Sequence, residues 1–214
     1  MPAIGAMLKP TEAAVVARVT VRDVNRAIDE RILPDSFISP ERGRRVTATA
    51  CSLISFYFMS ARRLTSEERL LAIREVGRRL DQSRASAEAP DVEDWTVRDE
   101  FLTIDLAPFV QQTRERLQLL SAAEARVVSD PEILGGLPVL RGTRVPVHDV
   151  AASVTAGIPT DRLLSAYPTL DHAAIELAAI YAAANPARGR PREAQPHGGN
   201  VMSERRVPRR VQAG

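Results

Sequence analysis

Thr20-Val21-Arg22-Asp23-Val24-Asn25-Arg26-Ala27-Ile28-Asp29-Glu30-Arg31-Ile32-Leu33-Pro34 is the stretch from which the fold can be read. Thr20 is an N-cap residue type, and Val21, Val24 and Ile28 fall at i, i+3 and i+7, the spacing of one buried helical face. Arg22, Asn25, Arg26 and Asp29 are left on the other face, and Pro34 closes the helix. Upstream, Thr11 to Ala17 predicts a short helix, so Arg18-Val19-Thr20 becomes the turn between two helices. Downstream, Phe37-Ile38 and Val46-Thr47 flank Pro40-Glu41-Arg42-Gly43-Arg44-Arg45, which predicts a hairpin with a basic tip.

Further along, Ala50 to Met59 is apolar nearly all round, which implies burial on several sides and allows a dimer contact. Thr65-Ser66-Glu67-Glu68 is a capping box that opens a helix ending near Leu80. The Ser- and Ala-rich stretch 81–90 reads as a linker. Short strands follow at Trp95–Val97 and Phe101–Ile104, then a helix from Leu106 to Leu120 capped by Asp105, with Phe109, Leu117 and Leu120 on one stripe. A strand at Arg126–Ser129 and a small hairpin around Gly142-Thr143 lead into a helix whose buried face is Val147, Val150, Ala151 and Val154. Gly157 suits its C-terminus. Thr160 is read as the cap of a short helix, and Asp171 as the cap of the last one, with Leu170 and Ile175 as a hydrophobic staple. The expected fold is mainly α with short β-hairpins: a helix-turn-helix domain over 1–80, a second small helix-turn-helix-like domain over 91–187, and a disordered basic tail over 188–214.

Composition narrows the chemistry. The 214 residues carry a net charge of +2, but its distribution is uneven. Residues 1–80 hold 14 basic and 9 acidic side chains, and 188–214 hold 7 and 2. The stretch 81–129 holds 5 basic against 10 acidic side chains, and 130–187 holds 3 against 6, so two basic ends enclose an acidic middle. Lys9 is the only lysine, so nearly every cation is a guanidinium suited to paired contacts with phosphate or carboxylate. Cys51 is the only cysteine, which excludes a disulfide framework and a cysteine zinc site and fits a cytoplasmic setting. No signal peptide or membrane span is read in the sequence. The hydrophobic fraction of 44% with only 4% aromatic residues predicts aliphatic, alanine-rich cores.

The region Thr11 to Arg45 resembles the MerR/excisionase type of winged helix-turn-helix. The resemblance is carried by Glu12-Ala13-Ala14, Val19-Thr20, Val24, Leu33-Pro34 and Gly43-Arg44-Arg45. It implies that the second helix enters the major groove of operator DNA, with Arg22, Asn25 and Arg26 toward base edges and Arg42, Arg44 and Arg45 toward phosphate. Two features oppose it. Asp23, Asp29 and Glu30 on the same helix would repel phosphate, and Arg18 stands where the family usually has glycine. A left-handed arginine there costs about 1–2 kcal/mol, unless the turn takes another shape.

The run Asp130-Pro131-Glu132-Ile133-Leu134-Gly135-Gly136-Leu137-Pro138-Val139-Leu140-Arg141-Gly142-Thr143-Arg144-Val145-Pro146-Val147, continued by Gly157–Thr160 and Tyr167-Pro168, resembles the signature of the domain of unknown function 433 family. Members of that family commonly serve as VapB-type antitoxins of PIN-like ribonuclease toxins. The resemblance therefore implies a dimeric antitoxin that represses its own operon. PIN-like ribonucleases hold Mg²⁺ with clustered carboxylates, and an arginine strand matches such a site. Arg188, Arg190 and Arg192 are the first candidates to enter it, with Arg205, Arg206, Arg209 and Arg210 second; a solubilising or DNA-binding tail is the other reading. A MerR-like regulator with a ligand- or partner-sensing C-terminal domain is the alternative for the whole chain.

Within the signature, Arg141 and Arg144 can either bind an anion or pair with Asp130 or Glu132. No phosphate-binding glycine loop is present. The pairs His148-Asp149 and Asp171-His172 are the one candidate metal constellation, as in a hydrolase. Asp171 is better read as a helix cap, and no further ligand motif supports a metal. No enzyme activity or cofactor is expected.

Overall fold

The computed structural model describes residues 6–39, 43–85 and 94–187. Its first half folds around a three-stranded antiparallel sheet. Strand β1 (Met7–Leu8) leads into α1 (Pro10–Ala17) and α2 (Val21–Asp29). A 3₁₀ turn then precedes β2 (Ile38–Ser39) and β3 (Arg45–Thr47). The strand order is β1-β3-β2, with Leu8 and Ile38 both opposite Val46. The expected hairpin is therefore present as β2–β3. Strand β1 is too short for its alternation to be read in the sequence.

Thr47 caps the next helix, α3 (Ala48–Met59), by accepting the Ala50 N–H at 3.2 Å. The helix has no polar face: every residue from Ala50 to Tyr57 is buried, including Ser52 and Ser55. Its neighbours are α1, α2, α4 (Ser66–Ala85) and α5 (Ala107–Ala125). The many-sided burial expected of this helix is thus supplied within one chain. Its polar atoms are satisfied locally: the Ser60 hydroxyl donates to the Phe56 carbonyl at 2.6 Å, and Ser52 and Thr113 share a hydrogen bond that joins α3 to α5. Phe56 meets Phe109 edge-on at 5.5 Å. Cys51 lies fully buried here, and desolvation pushes its thiol up to about 12.

The capping box at Thr65 is formed, with Glu68 accepting the Thr65 N–H at 2.6 Å. Helix α4 continues to Ala85, into the stretch read as a linker, and the core does not divide there. The buried cluster around α3 also contains Val97 and Ile104 of the hairpin β4 (Thr96–Asp99) and β5 (Leu102–Asp105), Leu106 and Leu120 beside and within α5, and Ala184. Arg79, carried by Glu75 at 2.8 Å, donates to the Thr96 carbonyl at 2.8 Å and fastens this hairpin to α4. The expected Phe109, Leu117 and Leu120 stripe packs on the same cluster.

The remaining elements are β6 (Val127–Val128), β7 (Val139–Leu140), α6 (Val147–Thr155), α7 (Thr160–Ala166) and α8 (His172–Ala184). Strands β6 and β7 pair antiparallel. A second cluster forms from Leu140, Val147, Val150, Leu163, Leu170, Ala174, Ile175 and Ala178. The staple is in place: Leu170 and Ile175 are both buried, and Asp171 accepts the Ala174 N–H at 2.6 Å. Two expectations need correction. Thr160 is the first helical residue of α7 and makes no cap; Pro159 precedes it. Val21 is 39% exposed, and the buried stripe of α2 is Val24 with Ala27, because position 21 lies on the first turn, beyond the reach of the packed neighbours. Among the described residues no helix is long and apolar enough to cross a membrane.

Gly77 sits in the interior of α4, where glycine lowers helix stability. A Cβ built on it would stand 2.7 Å from Cγ of the Pro34 ring. The close approach of α4 to the segment after α2 therefore requires glycine. Gly77→Ala should lower the unfolding free energy by about 1 kcal/mol net, overpacking outweighing the helix-propensity gain; a raised denaturant midpoint would contradict this. Cys51 should react with a thiol reagent only as fast as the fold opens, and rapid native-state labelling at pH 8 would show the core to be otherwise.

Candidate nucleic-acid interface

The helix-turn-helix is α1, the turn Arg18–Thr20, and α2. Thr20 and Asp23 form a reciprocal cap: the Asp23 N–H donates to the Thr20 hydroxyl at 3.1 Å, and the Thr20 N–H donates to Asp23 Oδ2 at 3.1 Å. That gives Asp23 a structural role at the N-terminus of the helix, where its charge also meets the positive end of the helix dipole. The turn keeps the left-handed shape: Arg18 has φ 58° and ψ 44°. The Val19 N–H reaches the Ala14 carbonyl at 3.1 Å and the Arg18 N–H reaches Val15 at 3.3 Å, the paired bonds of a Schellman ending. Helix α2 ends the same way on Arg31, at φ 50°.

The exposed side of α2 presents Arg22 and Arg26, with Asn25 half-buried between them. Arg22 and Asn25 make no hydrogen bond or ion pair among the described residues, so their donors are available. Arg26 is held by Glu30 through a 2.9 Å contact. Arg44, after the wing tip, forms a fork on Asp29: one guanidinium nitrogen lies 3.0 Å from Oδ1 and another 3.2 Å from Oδ2. Arg45 donates to the Met7 carbonyl at 3.3 Å, which ties β3 to β1. Arg42 lies outside the described residues. The fold thus brings Arg22, Asn25, Arg26, Arg44 and Arg45 to one helix and its adjoining hairpin, and Arg26 and Arg44 are held there by carboxylates. The Arg26–Glu30 pair was legible as an i,i+4 spacing. The Arg44–Asp29 fork was not, since it depends on how the hairpin folds back on the helix.

The signature run is built as a scaffold. Asp130 accepts the Ile133 N–H on its carbonyl and the Glu132 N–H on Oδ1, both at 2.9 Å. Pro131 is exposed at the start of this turn. Leu134, Gly135 and Gly136 then follow with φ of 48°, 65° and 86°. A left-handed leucine is strained, and here it places Leu134 on the surface together with Leu137, which is 53% exposed. The Pro138 carbonyl receives the Val147 N–H at 3.0 Å and so fixes the start of α6. Gly142 lies in a tight turn closed by the Thr143 N–H on the Leu140 carbonyl at 3.0 Å, with the Thr143 hydroxyl on the same carbonyl at 2.8 Å. Arg141 pairs with neither Asp130 nor Glu132 among the described residues; its Nε donates at 2.9 Å to the Ala125 carbonyl, at the negative end of α5. Arg144 is exposed and makes no hydrogen bond or ion pair among the described residues.

Helices α6 and α7 form the second helix-turn-helix-like unit. Gly157 at φ 75° joins them through the same Schellman bonds, Ile158 to Ser153 and Gly157 to Val154. His148 faces the Tyr181 ring at 6.2 Å between centroids, whereas His172 is exposed at the start of α8. Asp171 is engaged as the cap. Among the described residues no three His, Cys, Asp or Glu side chains gather where they could hold a metal ion. Arg188, Arg190, Arg192, Arg205 and Arg206, like the rest of 188–214, lie outside the described residues.

Comparison with known proteins gives two findings. Residues 127–182 match the family described as Protein of unknown function (DUF433). The chain is also 58% identical over 217 residues to the uncharacterized protein y4eO of Sinorhizobium fredii, an alignment covering 100% of this chain and 98% of that one. No solved structure matches.

Arg18→Gly should stabilise the fold by roughly 0.5–1 kcal/mol, the relief of left-handed strain exceeding the added freedom of the unfolded chain. A fall in thermal midpoint would mean that the arginine side chain contributes more than its backbone costs.

Proposed function

The chain belongs to the family of y4eO, and within it we propose that the protein is the antitoxin and autorepressor of a toxin–antitoxin pair. The observation that carries the reading is the union, in one chain, of two short helices and a basic β-hairpin, with arginine and asparagine on the second helix, and a DUF433 segment over 127–182. The first half supports operator binding. Arg22 and Asn25 have the chemistry that pairs with guanine and adenine edges in the major groove, and α2 is presented with its opposite side packed on the core. The second half supports neutralisation of a PIN-like ribonuclease, through the resemblance of the 130–146 run to antitoxins of that family.

The arginines of 188–214 supply the chemistry for the toxin's acidic, Mg²⁺-holding site, since guanidinium forks match clustered carboxylates. A homodimer would present two recognition helices to a two-fold operator.

Co-expression with the product of the adjacent gene is the decisive experiment. The neighbour produced alone should arrest growth, and with this chain it should be harmless and co-purify as a stable complex. Removal of 188–214 should abolish or weaken that complex. A harmless neighbour that never co-purifies would overturn the antitoxin reading. DNA binding that then depended on a small molecule would favour a ligand-sensing regulator instead.

A further inference from the structure

Asp29 and Glu30 lie at the C-terminal end of α2, where the negative end of the helix dipole disfavours carboxylates. Asp23 is accounted for as a cap, but these two are not. Each is turned onto an arginine of the surface assigned to DNA. Glu30 meets Arg26 at 2.9 Å and Asp29 takes the Arg44 fork at 3.0 and 3.2 Å. Arg22 and Asn25, on the same surface, make no hydrogen bond or ion pair among the described residues.

We propose that Asp29 and Glu30 are a charge mask, holding Arg44 and Arg26 off the phosphates so that the surface discriminates against DNA of arbitrary sequence. The proposal rests on the DNA-binding half of the reading above. Non-specific affinity comes almost wholly from cations that neutralise phosphates and release counterions. A cation engaged by a carboxylate contributes to that affinity only after its pair is broken. The two pairs are a little over half exposed on each side, so they are weak and exchangeable. At a matching site, base contacts from Arg22 and Asn25 hold the helix in register, and Arg44 and Arg26 can exchange carboxylate for phosphate. At a wrong site, the carboxylates keep their arginines and repel the backbone. Asp29 and Glu30 are therefore specificity-determining residues that touch no base.

The test measures binding of the full chain to two duplexes, one of mixed sequence and one carrying the region upstream of its own gene, across a salt series. Asp29→Asn and Glu30→Gln are nearly isosteric and remove one charge each. Each should tighten binding to the mixed-sequence duplex by about 3–10-fold and steepen the dependence of log K on log salt by about one unit. Affinity for the upstream duplex should rise less, so the ratio between the two falls. Arg44→Ala added to Asp29→Asn should cancel the gain. If the unmodified chain binds DNA but neither variant gains mixed-sequence affinity or slope, the mask is refuted while operator binding stands. If no form binds either duplex, the DNA-binding reading falls and the mask with it.

Discussion

The first of the two buried clusters is arranged around α3. A helix with no polar face cannot rest on a surface; it must be enclosed, and each of its sides recruits a different part of the sequence. Leu53, Ile54 and Phe56 are essentially inaccessible, and each such side chain contributes about 1.5–3 kcal/mol on burial. Helices α1 and α2 are held from below by this surface, which is why the turn between them keeps its shape on a left-handed Arg18 and the end of α2 keeps its shape on a left-handed Arg31. At the end of α3 the buried Arg69 donates to the Tyr57 carbonyl at 2.7 Å and lies over the Tyr57 ring at 4.2 Å. Its other donors reach Thr65 and Ser66, so a single guanidinium closes the corner into α4. Its positive charge meets the negative end of the α3 dipole.

Local chemistry made much of this legible. The caps at Thr20, Thr65 and Asp171, the staple at Leu170 and Ile175, and the basic hairpin are all written within a few residues of where they act. What could not be read was the agreement between distant segments. No periodicity tells that Val97 and Ile104 pack into the same cluster as Val24, or that α4 outlasts its serine- and alanine-rich end. The two-residue strands carry no alternation to detect. Val21 falls on the apolar stripe by spacing yet stays exposed, because helical spacing gives a face but not how far along the helix the neighbours extend.

The candidate site was legible in residue type and only partly in state. Sequence spacing put arginines and an asparagine on one helix face and opposed them with three acidic residues. The structure separates those acids by role: Asp23 serves the helix end, and Asp29 and Glu30 serve the arginines. The signature loop likewise changes meaning. Its glycines and prolines hold turns, Arg141 closes a helix, and Leu134, Leu137 and Arg144 are among the side chains it exposes. A motif recognisable by spacing is thus mostly framework.

Helix α8 belongs to both clusters. Ala174, Ile175 and Ala178 sit in the second, while Ile180 and Ala184, on its last turns, pack against the first. The last turns of α8 therefore complete the hydrophobic support of the first cluster, with α1 as neighbour. A chain divided before β6 would leave each piece with an uncovered apolar strip shaped for the other. Such pieces would be poor soloists and good partners: the junction is a natural seam for split-protein complementation, with reassembly restoring the surface that carries Arg22 and Asn25.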